Sequence, residues 1–395
     1  MPDQPGPCRS SRIAMGAPLS NKPMERRLRE LDGWRAVSVL LVIVYHFCVW
    51  QHPEVFSPHV RLFRILQYCG PLGVKVFFVI SGFVICRFLI LEEKRFGAVS
   101  LKAFYIRRAL RILPPFYLYL AVVALLSSLG LLVNPWTGML SSTFFLHDLT
   151  LNKAHDWFIG HTWSLAVEEQ YYLIFPALWV VSRRTSRVRL FLLLFSLIVV
   201  WNVSEATLPW NHLTAPAARL GFACICCGVI VAILEPQART LARAVPMLVV
   251  IALMLILLWD PVQGLTWSAA LYESVFVPPA IAILLMFSLE RRGWLQSLLR
   301  WSPLRAIGVT FYATYLWQQL FTARPYDLSV TAKPLCFMLP LLLVIVPLSW
   351  YFIEKPAMRL GRRLSERFRV QSPPKSLLTS PLCPMAESLK AVDSF

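Results

Sequence analysis

The chain has 395 residues, with 39 Lys plus Arg against 21 Asp plus Glu and a formal net charge of +18. Hydrophobic residues make up 57% of it and charged residues only 15%, against about 25% charged in an average soluble domain. This balance excludes a soluble core and bulk disorder, and 16 Gly exclude a collagen-like chain. Long apolar runs separated by short basic gaps point to an all-α, multi-pass integral membrane protein.

In chain order, residues 1–28 read as a polar N-terminal tail, Pro- and Ser-rich and without the apolar stretch of a signal peptide. Apolar spans follow at 34–50, 71–91, 113–133, 163–181, 189–203, 219–234, 245–259, 268–288, 304–321 and 335–353, about ten in all. The apolar patch 139–147 is too short to cross and reads as interfacial or re-entrant. Residues 357–395 read as a basic, polar C-terminal tail.

In a soluble chain +18 would suggest nucleic acid. Here the basic residues alternate between gaps, so they read as orientation signals and no nucleic-acid partner is expected. Arg26, Arg27 and Arg29 precede the first span, and Lys94, Arg95, Lys102, Arg107, Arg108 and Arg111 stand between the second and third. Arg183, Arg184 and Arg187 follow the fourth, Arg239 and Arg243 the sixth, and Arg291, Arg292 and Arg300 the eighth. The alternate gaps are poor in Lys and Arg, apart from Arg61 and Arg64 in the first. Both termini are therefore expected in the cytoplasm, in agreement with an even number of spans.

Ionisable groups inside spans are costly and mark candidate functional positions. Arg35 and His46 are eleven residues apart in the first span. Eleven steps of about 100° come within about 20° of whole turns, so the two share a face and stand roughly 16 Å apart. The alternative is an interfacial Arg35 and a His46 that only packs. In His161-Thr-Trp-Ser-Leu-Ala-Val-Glu-Glu-Gln-Tyr-Tyr172 two acids enter an apolar helix. Counted from the outer surface, Glu168 and His46 lie at a similar depth of about 6–8 Å and meet if their helices are neighbours. Otherwise both acids sit in a wet outer vestibule.

Arg108 and Arg111 are spaced i, i+3 on one helical face. They read either as positive-inside anchors or as a cytoplasmic phosphate clamp, since guanidinium forks suit phosphate oxygens. Arg219 and Glu273 fall near the outer ends of their spans and either contact an external substrate or balance charge. Cys224, Cys226 and Cys227 splay around one helix axis and read as small packing residues, not metal ligands. Ser81-Gly82 suits close helix approach. P-loop, GxSxG and HExxH motifs are absent from the sequence.

Several segments together resemble the membrane acyltransferase-3 family, whose members O-acylate sugars and other acceptors. They are Leu31-Asp-Gly-Trp-Arg-Ala-Val with Tyr45-His46, and Gly73-Val-Lys-Val-Phe-Phe-Val-Ile-Ser-Gly-Phe-Val84. Arg107-Arg-Ala-Leu-Arg-Ile-Leu-Pro114, Trp163-Ser-Leu-Ala-Val-Glu-Glu-Gln-Tyr-Tyr172 and Arg219-Leu-Gly follow in the family's order. Ile307-Gly, Tyr315-Leu-Trp317 and Ile353-Glu-Lys-Pro356 complete it, so the acyltransferase domain is expected over 29–356.

The resemblance implies acyl-CoA, with acetyl-CoA as the expected co-substrate, bound from the cytoplasm, and no permanently bound cofactor. It implies a carbohydrate or lipid-linked glycan acceptor met on the outer side of a bacterial cytoplasmic membrane. Arg35, Arg108 and Arg111 would hold the donor phosphates, His46 would act as general base, and Glu168 would orient it. Ser164, Tyr171 and Arg219 are candidates for stabilising the oxyanion, and Glu273 for acceptor support. Lys75 stands where members often carry an acid, and Gln318 where many carry His. Without an appended hydrolase-like domain, a partner protein is expected to present the acceptor. The alternative from another class is a multi-pass exporter or flippase with His46 and Glu168 as a proton relay.

Overall fold

The computed structural model describes residues 28–132, 136, 138–149, 157–207, 216–259, 267–324, 327–329 and 338–368. Residues 1–27 and 369–395 of the expected tails, the gap residues Lys153 and Lys333, and 335–337 of the tenth expected span lie outside them. Among the described residues the chain is helical throughout, with a single isolated bridge between Leu132 and Leu328.

Among the described residues, six helices are long and apolar enough to cross a membrane, or seven if one bent pair counts as a span. They include α1 (Arg29–Gln51), α2 (Val60–Phe96), α3 (Leu101–Ser128), α5 (Arg187–Thr207), α9 (Ser268–Glu290) and α13 (Leu339–Glu366). The protein is thus a multi-pass membrane protein.

The expected count of ten is not reached on length and apolar composition, and each shortfall has a local cause. Helix α4 (Thr162–Val181) is long enough, but Glu168, Glu169 and Gln170 dilute its apolar character. Span 219–234 is the first arm of a pair, α6 (Pro216–Ile233) and α7 (Glu235–Ala244), bent by 92° where Pro236 opens the second arm. Span 245–259 is α8 (Met247–Trp259), 13 residues long. Helix α10 (Trp294–Arg300) precedes the last of these segments. Span 304–321 is broken at Thr310 into α11 (Ser302–Val309) and α12 (Phe311–Phe321). The patch 139–147 holds only a five-residue helix, Met139–Thr143. The C-terminal boundary also moves: α13 runs unbroken through Glu366, and Phe368 accepts a 2.6 Å bond from the Ser100 hydroxyl. Residues 357–366 are therefore helix packed on α3, not tail.

Helix α2 is the centre of the bundle and packs along both α1 and α6. Gly82 and Gly228 set the second contact. A Cβ on Gly82 would stand 2.1 Å from the Ile225 carbonyl oxygen, and one on Gly228 2.2 Å from that of Val79. Only hydrogen at both positions lets the two backbones come this close. Cys224, Cys226 and Cys227 are buried, unoxidised packing residues on the same stretch of α6. Helix α1 runs antiparallel to α2: Tyr45 packs on Gly70, and Ser38 and Val42 pack on Gly73.

The gaps rich in basic residues meet at one end of the bundle. There Glu93 binds Arg183 and Arg187 (both 2.8 Å), Glu92 binds Arg107 (3.1 Å), and Glu30 binds Arg300 (2.6 Å). Arg87 reaches Glu235 at 3.0 Å, and Arg239 joins Glu235 to Glu290.

Candidate active site

Four helices present side chains at turn spacing along one line. Arg35, Ser38, Val39, Val42 and His46 come from α1, and Gly73, Phe77 and Ser81 from α2. Ser164, Glu168 and Tyr172 come from α4, and Phe311, Tyr315 and Gln318 from α12. Spacings of three, four and seven put each set on one helical face. The line runs from Arg35, at the end of the bundle where the basic gaps meet, to His46 eleven residues along α1.

At the Arg35 end lies a cavity of about 430 Å³, part of it open to solvent. Arg35, Arg108 and Arg111 line it together with Ser81, Glu168 and Tyr172. Arg35 has one carboxylate, Asp32, at 3.7 Å. Among the described residues, Arg108 and Arg111 make no salt bridge. The Arg108 guanidinium lies instead over the Tyr172 ring, 4.8 Å from its centroid, a contact that orients the cation without neutralising it. The three arginines expected to act together are thus in one cavity, and their charge faces it.

Glu168 stands in this cavity, not beside His46. It accepts hydrogen bonds from the Ser81 hydroxyl (2.7 Å) and from the Tyr172 hydroxyl. Ser81 is eleven residues along α2 from Gly70, where Tyr45 packs, which separates the two levels by about 16 Å. The equal depth expected for Glu168 and His46 fails because α4 does not begin at the outer surface. The residues before it, Phe158, Ile159 and His161, are already buried. Glu168 therefore does not touch the imidazole, and the expected meeting of the two is not found.

A second, mostly apolar cavity of about 190 Å³, part of it open to solvent, continues the line and shares Phe77 and Phe311 with the first. These two rings stack at 4.6 Å and 23°, closing the passage between the cavities. Ser164 and Tyr315 form one wall of the second cavity, their hydroxyls 2.6 Å apart. One turn beyond Tyr315, the Gln318 side-chain oxygen meets His46 Nδ1 at 2.9 Å. His46 also starts a π-helical turn, His46–Gln51, that ends α1. Such turns widen the helix locally and are frequent at functional sites.

The remaining candidates are not on this line. Tyr171 is buried and stacks on Phe175 at 4.8 Å. Arg219 is buried near the start of α6 and lines neither cavity. Glu273 is committed to Lys75 and accepts from the Tyr68 hydroxyl at 3.2 Å. Lys75, which departs from the family pattern, is thereby accounted for as one half of a largely buried ion pair. Of the oxyanion candidates only Ser164 lines either cavity. Phe77, Tyr172, Phe311 and Tyr315 were missed as site residues. The four-residue spacing Gly73–Phe77–Ser81 and Ser164–Glu168–Tyr172 is the sequence signal that points to them.

Residues 28–354 of the chain match the family described as "Acyltransferase domain". It is 26% identical over 386 residues to "Putative peptidoglycan O-acetyltransferase YrhL" of Bacillus subtilis, covering 87% of this chain and 56% of that protein. It is 31% identical over 171 residues to "Peptidoglycan O-acetyltransferase OatA" of Listeria monocytogenes, covering 38% of this chain and 24% of that protein. The chain thus spans about half, or less, of the length of these curated relatives. No solved structure matches it. With the family match running almost the whole length of the helical bundle, the chain belongs to the membrane acyltransferase-3 family.

Proposed function

We propose that the protein is a membrane O-acyltransferase that moves a short acyl group, acetyl in the first instance, from acyl-CoA to a hydroxyl of a cell-surface glycan. The observation that carries this reading is the pair Arg108 and Arg111, without salt bridges among the described residues and facing a cavity whose line ends at His46. Two arginines that close no salt bridge of their own suit a ligand with phosphate oxygens. The end where the basic gaps meet is assigned to the cytoplasm, and the membrane to the bacterial cytoplasmic membrane. The names of the relatives support peptidoglycan as the acceptor to try first.

In the proposed reaction the donor phosphates rest on Arg35, Arg108 and Arg111. The stacked rings of Phe77 and Phe311 part to admit the donor arm, which brings the thioester to the level of His46. His46 Nε2 takes the proton of the acceptor hydroxyl as its oxygen attacks the thioester carbonyl carbon. The carbon–sulfur bond breaks, and the proton on Nε2 passes to the departing thiolate. The Ser164 and Tyr315 hydroxyls line the approach and supply donors for the developing oxyanion. Glu168 fixes the cavity wall by accepting from Ser81 and Tyr172.

The test is transfer of labelled acetyl from acetyl-CoA to muropeptides by purified protein in nanodiscs. Wild type transfers label, and His46→Ala abolishes transfer while still binding acetyl-CoA. Transfer that survives His46→Ala at the wild-type rate removes the base from this scheme.

A further inference from the structure

The hydrogen bond on His46 belongs to a chain of amides that has only one consistent direction. The chain starts at the Trp157 carbonyl, which can only accept. The Gln319 side chain meets it at 2.7 Å and must present its NH₂ group there. Gln319 Oε1 is then turned to Gln318 Nε2, at 3.0 Å. Gln318 in turn has its oxygen left for His46 Nδ1, at 2.9 Å. An oxygen can only accept, so Nδ1 carries the proton and, in the neutral imidazole, Nε2 keeps its lone pair.

The surroundings hold this chain rigid. Trp157 Nε1 donates to the Gln319 backbone carbonyl at 3.0 Å, and the Thr322 hydroxyl donates to the Gln318 carbonyl at 2.9 Å. Gln318 is fully buried and Gln319 nearly so. The Trp157 ring stands edge-on to the imidazole, 5.1 Å between centroids. Neutral amides therefore do here what a carboxylate does in a triad: they select the tautomer and fix the ring.

We infer that Gln318, oriented by Gln319 and the Trp157 carbonyl, is the positioning residue that holds His46 with Nε2 unprotonated and ready to accept a proton. This rests on the proposed role of His46 as general base. It assigns Gln318, which the family pattern leaves without a role, and replaces Glu168 as the group that orients the base.

The test compares Gln318→Met, of similar length but without an acceptor for Nδ1–H, with Gln318→Glu, which as the neutral acid keeps an oxygen for Nδ1–H and an O–H to donate to Gln319 Oε1. Steady-state acetyl transfer should show kcat reduced about 100-fold in Gln318→Met, with KM for acetyl-CoA within about twofold, since the arginine cavity is untouched. Gln318→Glu should recover kcat to within about tenfold of wild type. In ¹⁵N spectra of histidine-labelled protein, the signal lost in His46→Ala should report protonated Nδ1 in wild type and a tautomer mixture in Gln318→Met. A wild-type kcat in Gln318→Met, or an unchanged tautomer there, overturns the assignment. So do equal losses in the Met and Glu variants. His46→Ala with full activity has a different meaning: it removes the base reading beneath the assignment.

Discussion

Two groups of arginines lie at the same end of this protein, and they differ in one respect. Around the perimeter, Arg87, Arg107, Arg183, Arg187, Arg239 and Arg300 each bind a glutamate from another helix or the same turn. In the cavity, Arg108 and Arg111 face Ser81, Glu168 and Tyr172 and make no salt bridge among the described residues. Arg107 and Arg108 are neighbours in sequence and fall on opposite sides of this division. The perimeter pairs tie helix ends together and are finished without a ligand. The cavity pair keeps its charge for something that brings its own oxygens.

The largest effect expected from breaking this contrast is in the cavity. Arg108→Ala with Arg111→Ala removes two charge-assisted contacts to donor phosphate. It should lower kcat/KM for acetyl-CoA by about 1,000-fold, roughly 4 kcal/mol, read in steady-state kinetics. Next comes the buried pair outside the line. Lys75→Met leaves Glu273 as an uncompensated charge and should destabilise the protein by about 3 kcal/mol. Lys75→Met with Glu273→Leu should recover most of the loss in a thermal unfolding series. Glu168 sharpens the comparison, because its role here is to accept from two hydroxyls. Glu168→Ala orphans both and should lower the melting temperature by several degrees, whereas Glu168→Gln keeps an oxygen for them and should stay within about two degrees of wild type. The smallest effect is on the perimeter: Arg183→Ala with Arg187→Ala should leave kcat/KM within about twofold.

The sequence carries the helical class, the apolar segments and the alternation of basic gaps, because these follow from composition and local period. It also places Arg35, Arg108 and Arg111 in one role, and all three line one cavity. It does not separate anchors from clamp. That division depends on which carboxylate stands opposite, and Glu93 and Arg187 are 94 residues apart. The depth of Glu168 was misplaced for a related reason. Residues 157–161 look like an approach to the membrane surface in sequence, yet Phe158 and Ile159 are packed inside the bundle. The partner of His46 was hidden further still. Gln318 lies 272 residues away, and a glutamine in an apolar helix carries no local sign of the amide chain it belongs to. The span count fell short wherever polar residues or a break interrupted an apolar run, as at Glu168–Gln170 and Thr310.

The most direct measurement is equilibrium binding of radiolabelled acetyl-CoA to the purified protein in nanodiscs, with the cavity pair and the perimeter pair compared side by side. Saturable binding that Arg108→Ala with Arg111→Ala abolishes and Arg183→Ala with Arg187→Ala spares is the predicted result. Binding that survives the first and is lost in the second, or no binding to folded wild type, contradicts the donor site described for this protein.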